Sequence, residues 1–281
     1  MNYDEIEKST DLGQPIFFYE FLYSDSPGGA YRYVANSERV IAGGKAWQPR
    51  AMTHTEITTQ GTLDKQSVTI KTGKDVELTP LFIVGPPSRI VQANIYRSHA
   101  GLSTLQLEWT GRVLNGKWAG AEAEFACEPI FTSLVTSGLR RKYQRGCPHT
   151  LYGKSCGASQ LAHTEQGKVL SVVNAVMVRV QMDGAAVGLS AGNVAGGIFR
   201  VTLADGITEI RAVTNAVAEP NRVWTLTLIS QVSNMAAGQK VSMSKGCPHT
   251  FEVCRDTFQN VVNFGGCPNI PTKNPFNANQ F

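Results

Sequence analysis

The sequence has little net charge and no long hydrophobic run. Of its 281 residues, 26 are Lys or Arg and 22 are Asp or Glu, and a net charge of +4 is too small to indicate nucleic-acid binding by itself. No segment approaches the roughly 20 apolar residues that cross a membrane. The N-terminus, Met1 to Lys8, is polar and acidic. We therefore expect no secretory signal, and a protein that folds in a reducing cytoplasm.

Apolar residues make up 42% of the chain, which is enough to build ordinary hydrophobic cores. The first part has a β pattern. Phe17 to Tyr23 is apolar on both faces, which predicts a buried strand, and Ser67 to Lys71 alternates between apolar and polar residues. Ile90 to Tyr96 and Leu105 to Val113 continue the pattern. Short strands at regular spacing predict a barrel or a sandwich.

The pattern changes near Pro129 and changes back near Leu170. Ile130, Leu134 and Leu139 have helical spacing and precede a basic run, which predicts a helix. From Leu170, alternating apolar residues and turn signals predict a second small β-barrel, with Trp224 in its core.

These patterns predict a mainly β fold with two β-barrel-like modules and a small cysteine-rich C-terminal metal-cluster module. The predicted segments are an N-terminal β domain (1–128), a helix with the first half of the cluster module (129–160), an inserted β-barrel (161–244), and the second half of the cluster module with a C-terminal arm (245–281).

A short repeat is the most informative motif. The pentapeptide Gly-Cys-Pro-His-Thr begins at Gly146 and again at Gly246, and each copy is followed by a second cysteine. Eight residues separate Cys147 from Cys156, and six separate Cys247 from Cys254. Because the two copies flank the second β region, that region is interpreted as an insertion between the halves of one site.

Four clustered thiolates in a cytosolic protein favour a metal centre on Cys147, Cys156, Cys247 and Cys254. Zinc and an iron–sulfur cluster both remain open, although gaps of eight and six residues are wider than those of usual zinc ribbons. Two other interpretations are disulfides within each cysteine pair and four unpaired buried cysteines. Neighbouring basic residues are expected to offset the thiolate charge: Arg145, Lys154, Lys245 and Arg255.

Other cysteines and histidines have less specific interpretations. Cys127 follows Phe125 in a strand-like run and is predicted to be a core residue. Cys267 follows two glycines and is a candidate fifth thiol near the metal. His149 and His249 are interpreted as neighbours of the site or surface groups, with ligation of zinc in a mixed site as the alternative.

Three stretches resemble one known family. Gly13 to Phe21 resembles its opening strand, Leu139 to Cys156 its first cysteine segment, and Gly246 to Gly266 its second. The family is that of phage tail-tip and baseplate hub proteins, which includes the minor tail protein L of lambda-like siphophages and the hub protein of gene transfer agents. The resemblance spans nearly the whole chain, and Cys267 departs from it because an aromatic residue is expected there.

The resemblance implies a cofactor, a role and partners. The cofactor is a 4Fe–4S cluster held by Cys147, Cys156, Cys247 and Cys254. The role is a non-catalytic homo-oligomer, a trimeric ring, which joins the distal tail protein to the central tip or fibre protein in the virion tail. Assembly takes place in the cytoplasm of a bacterial host, with no membrane and no specific nucleic acid as partners.

Parts of the sequence are also compatible with other functions. A zinc-stabilised protein-interaction domain needs the same four cysteines. A tail-associated cysteine peptidase needs a nucleophile such as Cys127 and a base such as His163, but Cys127 has no polar flank. Carbohydrate binding by the inserted barrel would use Trp224, which fits a core position better. The basic run from Arg140 to Arg145 is interpreted as a solvated helix end rather than a DNA contact.

Overall fold

The computed structural model describes residues 3–9, 13, 15–23, 29–57, 67–83, 85, 87–134, 143–184 and 187–271. The chain divides into two compact units. The first contains residues 1–136 and 204–207, and the second contains residues 137–203 and 208–281. Among the described residues, no helix has the length and apolar character to cross a bilayer.

The first unit is built on a large sheet. Among the described residues, nine strands form it in the order β3-β4-β2-β1-β7-β8-β9-β6-β5. Its helices are α1 (Tyr3–Glu7) and α2 (Pro80–Ile83), and its strands are β1 (Pro15–Leu22), β2 (Ala30–Val34), β3 (Val40–Ala42), β4 (Lys45–Pro49), β5 (Met52–His54), β6 (Val68–Gly73), β7 (Gln92–His99), β8 (Gln106–Ala119) and β9 (Glu122–Pro129). The pairs are antiparallel except β2 with β4.

Strand β1 is buried on both faces, as its sequence predicts. Tyr19 and Phe21 belong to the main core of the unit, whereas Phe18 packs with Trp47 in a second core. Successive side chains of a strand point to opposite faces, so a strand between two cores must be apolar at nearly every position. The exception is Glu20, which is 1% exposed and is bound by Arg32 at 2.8 Å and Lys45 at 2.7 Å.

The second unit contains a closed barrel. Six of the described strands close it in the order β10-β11-β14-β13-β12-β15, and β15 pairs with β10. These strands are β10 (Thr164–Val172), β11 (Met177–Met182), β12 (Ile198–Thr202), β13 (Thr208–Glu219), β14 (Val223–Leu228) and β15 (Lys240–Ser244), with α3 (Ala191–Val194) before β12. Val178, Val180 and Met182 alternate into the core, and Trp224 is buried among them.

The mainly β fold class is confirmed, with a closed barrel in the second unit and a large sheet in the first. The predicted helix after Pro129 is described only at Ile130–Leu134, which is a 3-10 helix rather than an α-helix. Its remaining part, residues 135–142, lies outside the described residues, and so does most of the basic run from Arg140. The last ten residues, 272–281, also lie outside them. The four predicted segment boundaries stay a prediction.

Candidate metal centre

Both copies of the cysteine repeat meet in the second unit. The backbone N–H of Cys147 donates a hydrogen bond to the carbonyl of His249 at 2.8 Å, which joins the first copy to the second. Cys147, Cys156, Cys247 and Cys254 line one small cavity with a volume of about 20 Å³. The structure therefore brings together the four cysteines that the repeat singled out.

Turns place Cys156, and a capped helix places Cys254. In the first segment, Gly153 donates to the carbonyl of Thr150 at 3.0 Å and Cys156 donates to that of Gly153 at 3.0 Å, so the chain folds back on itself. In the second segment, the Thr250 side chain caps α4 (Phe251–Asp256), and Cys254 lies on that helix. Thr is a favoured N-cap because its hydroxyl accepts from a backbone N–H that has no partner in the helix.

Three of the four sulfurs accept N–H hydrogen bonds. The backbone of Gly265 donates to Cys147 Sγ at 3.4 Å, and the backbone of His249 donates to Cys247 Sγ at 3.3 Å. The side-chain amide of Asn260 lies 3.8 Å from Cys156 Sγ. N–H groups directed at sulfur stabilise thiolates and tune metal centres, so these donors fit a thiolate-bound group in the cavity.

Asn260 connects the two cysteine segments. Its Nδ2 donates to the carbonyl of Cys156 at 2.6 Å, and its own carbonyl accepts from the Cys254 thiol at 3.3 Å. Its Oδ1 accepts from Asn263 at 2.7 Å, which fixes the orientation of the amide. The Asn260 side chain thus contacts Cys156 of the first segment, while the Asn260 backbone contacts Cys254 of the second segment.

The thiols of the cavity influence one another. Burial raises the pKa of Cys247 and the pKa of Cys254, and the charges of Cys147 and Cys156 raise both further. Each ionised thiolate therefore disfavours ionisation of the next thiol, because the two negative charges repel. A bound metal cation removes that repulsion. The Arg255 guanidinium binds Asp256 at 2.7 Å, and the predicted compensation of thiolate charge by the neighbouring basic residues stays a prediction.

The structure also shows where the two histidines of the repeat and the remaining cysteines lie. His149 and His249 line the cavity, and His149 Nδ1 lies 3.0 Å from the carbonyl of Asn263. Cys267 is not among the described residues that line the cavity, and its backbone N–H donates to Gln144 at 2.8 Å. All six cysteines lie in the described part of the chain and are free, so neither intrapair disulfide is present. Among the described residues, no group of three or more His, Cys, Asp or Glu is arranged to hold a metal ion.

The residues proposed for a peptidase have other environments. Cys127 lies on β9 and is 2% exposed, which confirms the predicted core position, and burial raises the pKa of its thiol to about 12. A nucleophilic cysteine needs the opposite shift. His163 stacks with Tyr152 and meets Phe258 edge-on at 4.8 Å, and burial lowers its pKa.

The two glycines that begin the repeat have different roles, which yields a matched prediction. A Cβ at Gly246 would lie 2.3 Å from the carbonyl oxygen of Ala195, whereas a Cβ at Gly146 would meet nothing closer than 3.6 Å. We expect Gly246→Ala to lower the free energy of unfolding by about 1–3 kcal/mol, as overpacking does. We expect Gly146→Ala to change it by less than about 1 kcal/mol. Urea denaturation of both variants measures the difference, and equal effects would contradict the close approach at Gly246.

Sequence patterns did not identify Asn260 or the aromatic group beside the cavity. Phe258 lines the cavity, and Tyr152 packs against it and donates from its hydroxyl to the carbonyl of Lys245 at 2.7 Å. Neither an isolated asparagine nor scattered aromatic residues carry a motif, so only their placement in space identifies them.

These features define a mainly β protein of two units, the second of which combines a closed barrel with a cysteine-lined cavity. Residues 192–274 match the profile of a family described as phage conserved hypothetical protein BR0599. That stretch includes Cys247 and Cys254 but not the first cysteine segment.

Two further comparisons extend this result. An uncharacterized protein of Xylella fastidiosa (strain 9a5c) is 23% identical over 185 residues, which is 60% of this chain and 38% of that protein. The chain thus matches well under half the length of this curated relative. A chain in the solved virion of a native gene transfer agent (GTA) particle superposes with a TM-score of 0.77 and 15% identity, covering 96% of this chain and 92% of that one. At this identity the likeness establishes a shared fold.

Proposed function

We propose that this protein is a structural, non-catalytic component of the tail of a phage or phage-like particle. The observation that carries the proposal is the fold likeness to a gene transfer agent virion chain, because it covers 96% of this chain at a TM-score of 0.77. The match of residues 192–274 to a phage protein family supports it from sequence. A likeness along the whole length favours an equivalent place in the particle over a shared small module.

The environments of the candidate catalytic residues favour a structural role. The Cys127 thiol is buried in the core of the first unit, and His163 belongs to an aromatic group in the second. Within the tail, we place the protein at the tip, as a trimeric hub ring between the distal tail protein and the central tip protein. The support for this finer position is the resemblance of both cysteine segments to the tail-tip and hub family.

We further propose that the cavity holds a 4Fe–4S cluster with Cys147, Cys156, Cys247 and Cys254 as ligands. A single zinc ion requires four sulfurs that converge to about 2.3 Å from one point. The described residues have no group of three or more ligands arranged to hold a metal ion, so the choice of a cluster over zinc rests on the family resemblance and on the wide gaps of eight and six residues between the cysteines. The N–H groups directed at three sulfurs support thiolate ligands for either metal centre.

The cluster would act as a crosslink. It would join residues on either side of the inserted barrel, since about 90 residues separate Cys156 from Cys247. Fixing such distant segments restricts the unfolded chain far more than the folded one, so metal binding would contribute directly to folding. The chemistry that the cluster supplies in this role is coordination of four thiolates.

Deletion and complementation in particle-producing cells test the structural role. We expect purified particles to contain the protein, and the deletion strain to yield particles without a complete tail tip in electron micrographs. The wild-type gene restores assembly, and so does Cys127→Ala, which removes the only cysteine considered as a nucleophile. Absence of the protein from purified particles would contradict the proposal, and failure of a stably folded Cys127→Ala protein would favour an enzyme.

A further inference from the structure

The four sulfurs of the cysteine cavity have unequal surroundings. N–H groups are directed at the sulfurs of Cys147, Cys156 and Cys247. Cys254 Sγ instead lies 3.3 Å from the carbonyl oxygen of Asn260, to which its thiol donates a hydrogen bond. Among the described residues, no N–H group is within hydrogen-bonding distance of Cys254 Sγ. The contact at Cys254 therefore depends on a proton that the other three contacts do not need.

The carbonyl of Asn260 is held beside the Cys254 sulfur by other hydrogen bonds. The backbone N–H of Asn260 donates to the carbonyl of Cys254 at 3.0 Å, and the Asn260 carbonyl accepts from the backbone N–H of Asn263 at 3.1 Å. The Asn260 side chain is itself bound to the Cys156 carbonyl at 2.6 Å. The Asn260 carbonyl cannot turn away from Cys254 without loss of these bonds, so it stays in place when the thiol loses its proton.

Metal binding changes the sign of this contact. A cysteine must lose its proton to bind a metal, so the Cys254 thiol can no longer donate to Asn260. The negative sulfur then faces the negative end of the carbonyl dipole and is repelled. At the other three cysteines ionisation has the opposite effect, because a hydrogen bond to a charged acceptor is stronger than one to a neutral acceptor. Cys254 is therefore the least stabilised of the four thiolates.

We propose that Cys254 is the ligand that the metal centre releases first, so that loss of the metal begins at α4. The inference rests on the proposed metal centre and applies to a 4Fe–4S cluster and to zinc alike. When the bond between the metal and the Cys254 sulfur breaks, the sulfur keeps the bonding electrons. Water supplies a proton to the sulfur and is left as hydroxide, and the regenerated thiol again donates to Asn260. The other three sulfurs leave later, because each is stabilised by its N–H hydrogen bond.

Alkylation during metal removal tests the order of release. The anaerobically purified full chain is incubated with EDTA and iodoacetamide, which forms a thioether with each released thiol and liberates iodide. Samples taken over time are digested with trypsin for mass spectrometry. Cleavage after Lys and Arg places Cys147 and Cys156 in separate peptides, and fragment ions distinguish Cys247 from Cys254 in the peptide that they share. We expect Cys254 to be labelled about tenfold faster than the other three, the effect of one hydrogen bond to a charged group.

A variant separates hydrogen bonding from simple access to the reagent. Asn260→Ala removes the N–H group near the Cys156 sulfur and keeps the backbone carbonyl beside Cys254. We expect labelling of Cys156 to become about tenfold faster in this variant, with the other two N–H-bonded cysteines unchanged. The matched control Val262→Ala truncates a side chain that is 97% exposed and is not among the described lining residues, so it should keep the wild-type order.

Several results would overturn the proposed order. These are equal labelling of the four cysteines, earlier labelling of any cysteine other than Cys254, an unchanged rate at Cys156 in a folded Asn260→Ala protein, or labelling of Cys254 before EDTA is added while the metal is retained. If Asn260→Ala does not fold, the order in the wild-type protein remains the test. A purified protein with neither iron nor zinc, whose four thiols react without EDTA, would overturn the metal centre itself and the order with it.

Discussion

Serine in place of Cys247 should remove the iron and sulfide that we expect in the anaerobically purified protein, whereas serine in place of Cys267 should leave both. Cys247 lines the cavity and accepts an N–H hydrogen bond from His249, so its sulfur belongs to the proposed ligand set. Cys267 lies in the same C-terminal segment but not among the described lining residues. Comparing the two variants therefore separates the effect of losing a cluster ligand from the effect of losing a nearby thiol that does not bind the cluster.

Loss of the cluster should also lower stability. A crosslink that closes a loop of about 90 residues stabilises a fold by about 4–5 kcal/mol. Its loss corresponds to a fall of about 10 °C or more in the Tm of a domain of this size. We expect this fall in Cys247→Ser and a change within about 2 °C in Cys267→Ser, on the scale of an ordinary surface substitution. Cys147→Ser, Cys156→Ser and Cys254→Ser should behave like Cys247→Ser.

Iron and acid-labile sulfide analysis, visible absorption and calorimetry measure these outcomes. The wild-type protein should be brown and contain equal amounts of iron and sulfide. Zinc without sulfide would support the zinc-stabilised domain instead. Undiminished iron and sulfide in Cys247→Ser would show that the ligand assignment is wrong.

Aspartate in place of Asn260 should weaken retention of the cluster by about 10–100-fold, the usual cost of losing a hydrogen-bonding partner behind a metal ligand. The Asn260 amide donates to the Cys156 carbonyl at 2.6 Å and lies 3.8 Å from the Cys156 sulfur. A carboxylate has no N–H to donate, and it adds a negative charge beside the thiolates. Both effects disfavour thiolate coordination in the cavity.

Gln259→Glu is the matched control for Asn260→Asp. It introduces the same charge at the preceding residue, which is exposed and does not line the cavity. Competition with an iron chelator, followed by visible absorption, measures retention in both variants. Equal losses would mean that charge alone is responsible, and unchanged retention in Asn260→Asp would remove Asn260 from the site.

Local patterns predicted much of this protein. Phe17 to Tyr23 was predicted as a buried strand, and β1 carries its side chains into two cores. Alternation from Val176 to Met182 predicted β11 of the barrel. Such predictions succeed because the partition of side chains between core and solvent has a fixed period along a strand. The predicted helix after Pro129 was less successful, since the described part is a short 3-10 helix.

The sequence by itself determined strands such as β1, β6, β7 and β11, the burial of Cys127 and the choice of the four cysteines that line one cavity, because each depends on residue type and spacing along the chain. Only the tertiary structure decided that β5 lies at an end of the sheet, that Asn260 contacts both cysteine segments, and that Cys267 lies off the cavity lining. These features depend on distances of a few ångströms between residues that are far apart in the chain. Such distances follow from the path of the whole backbone, and no local pattern records them.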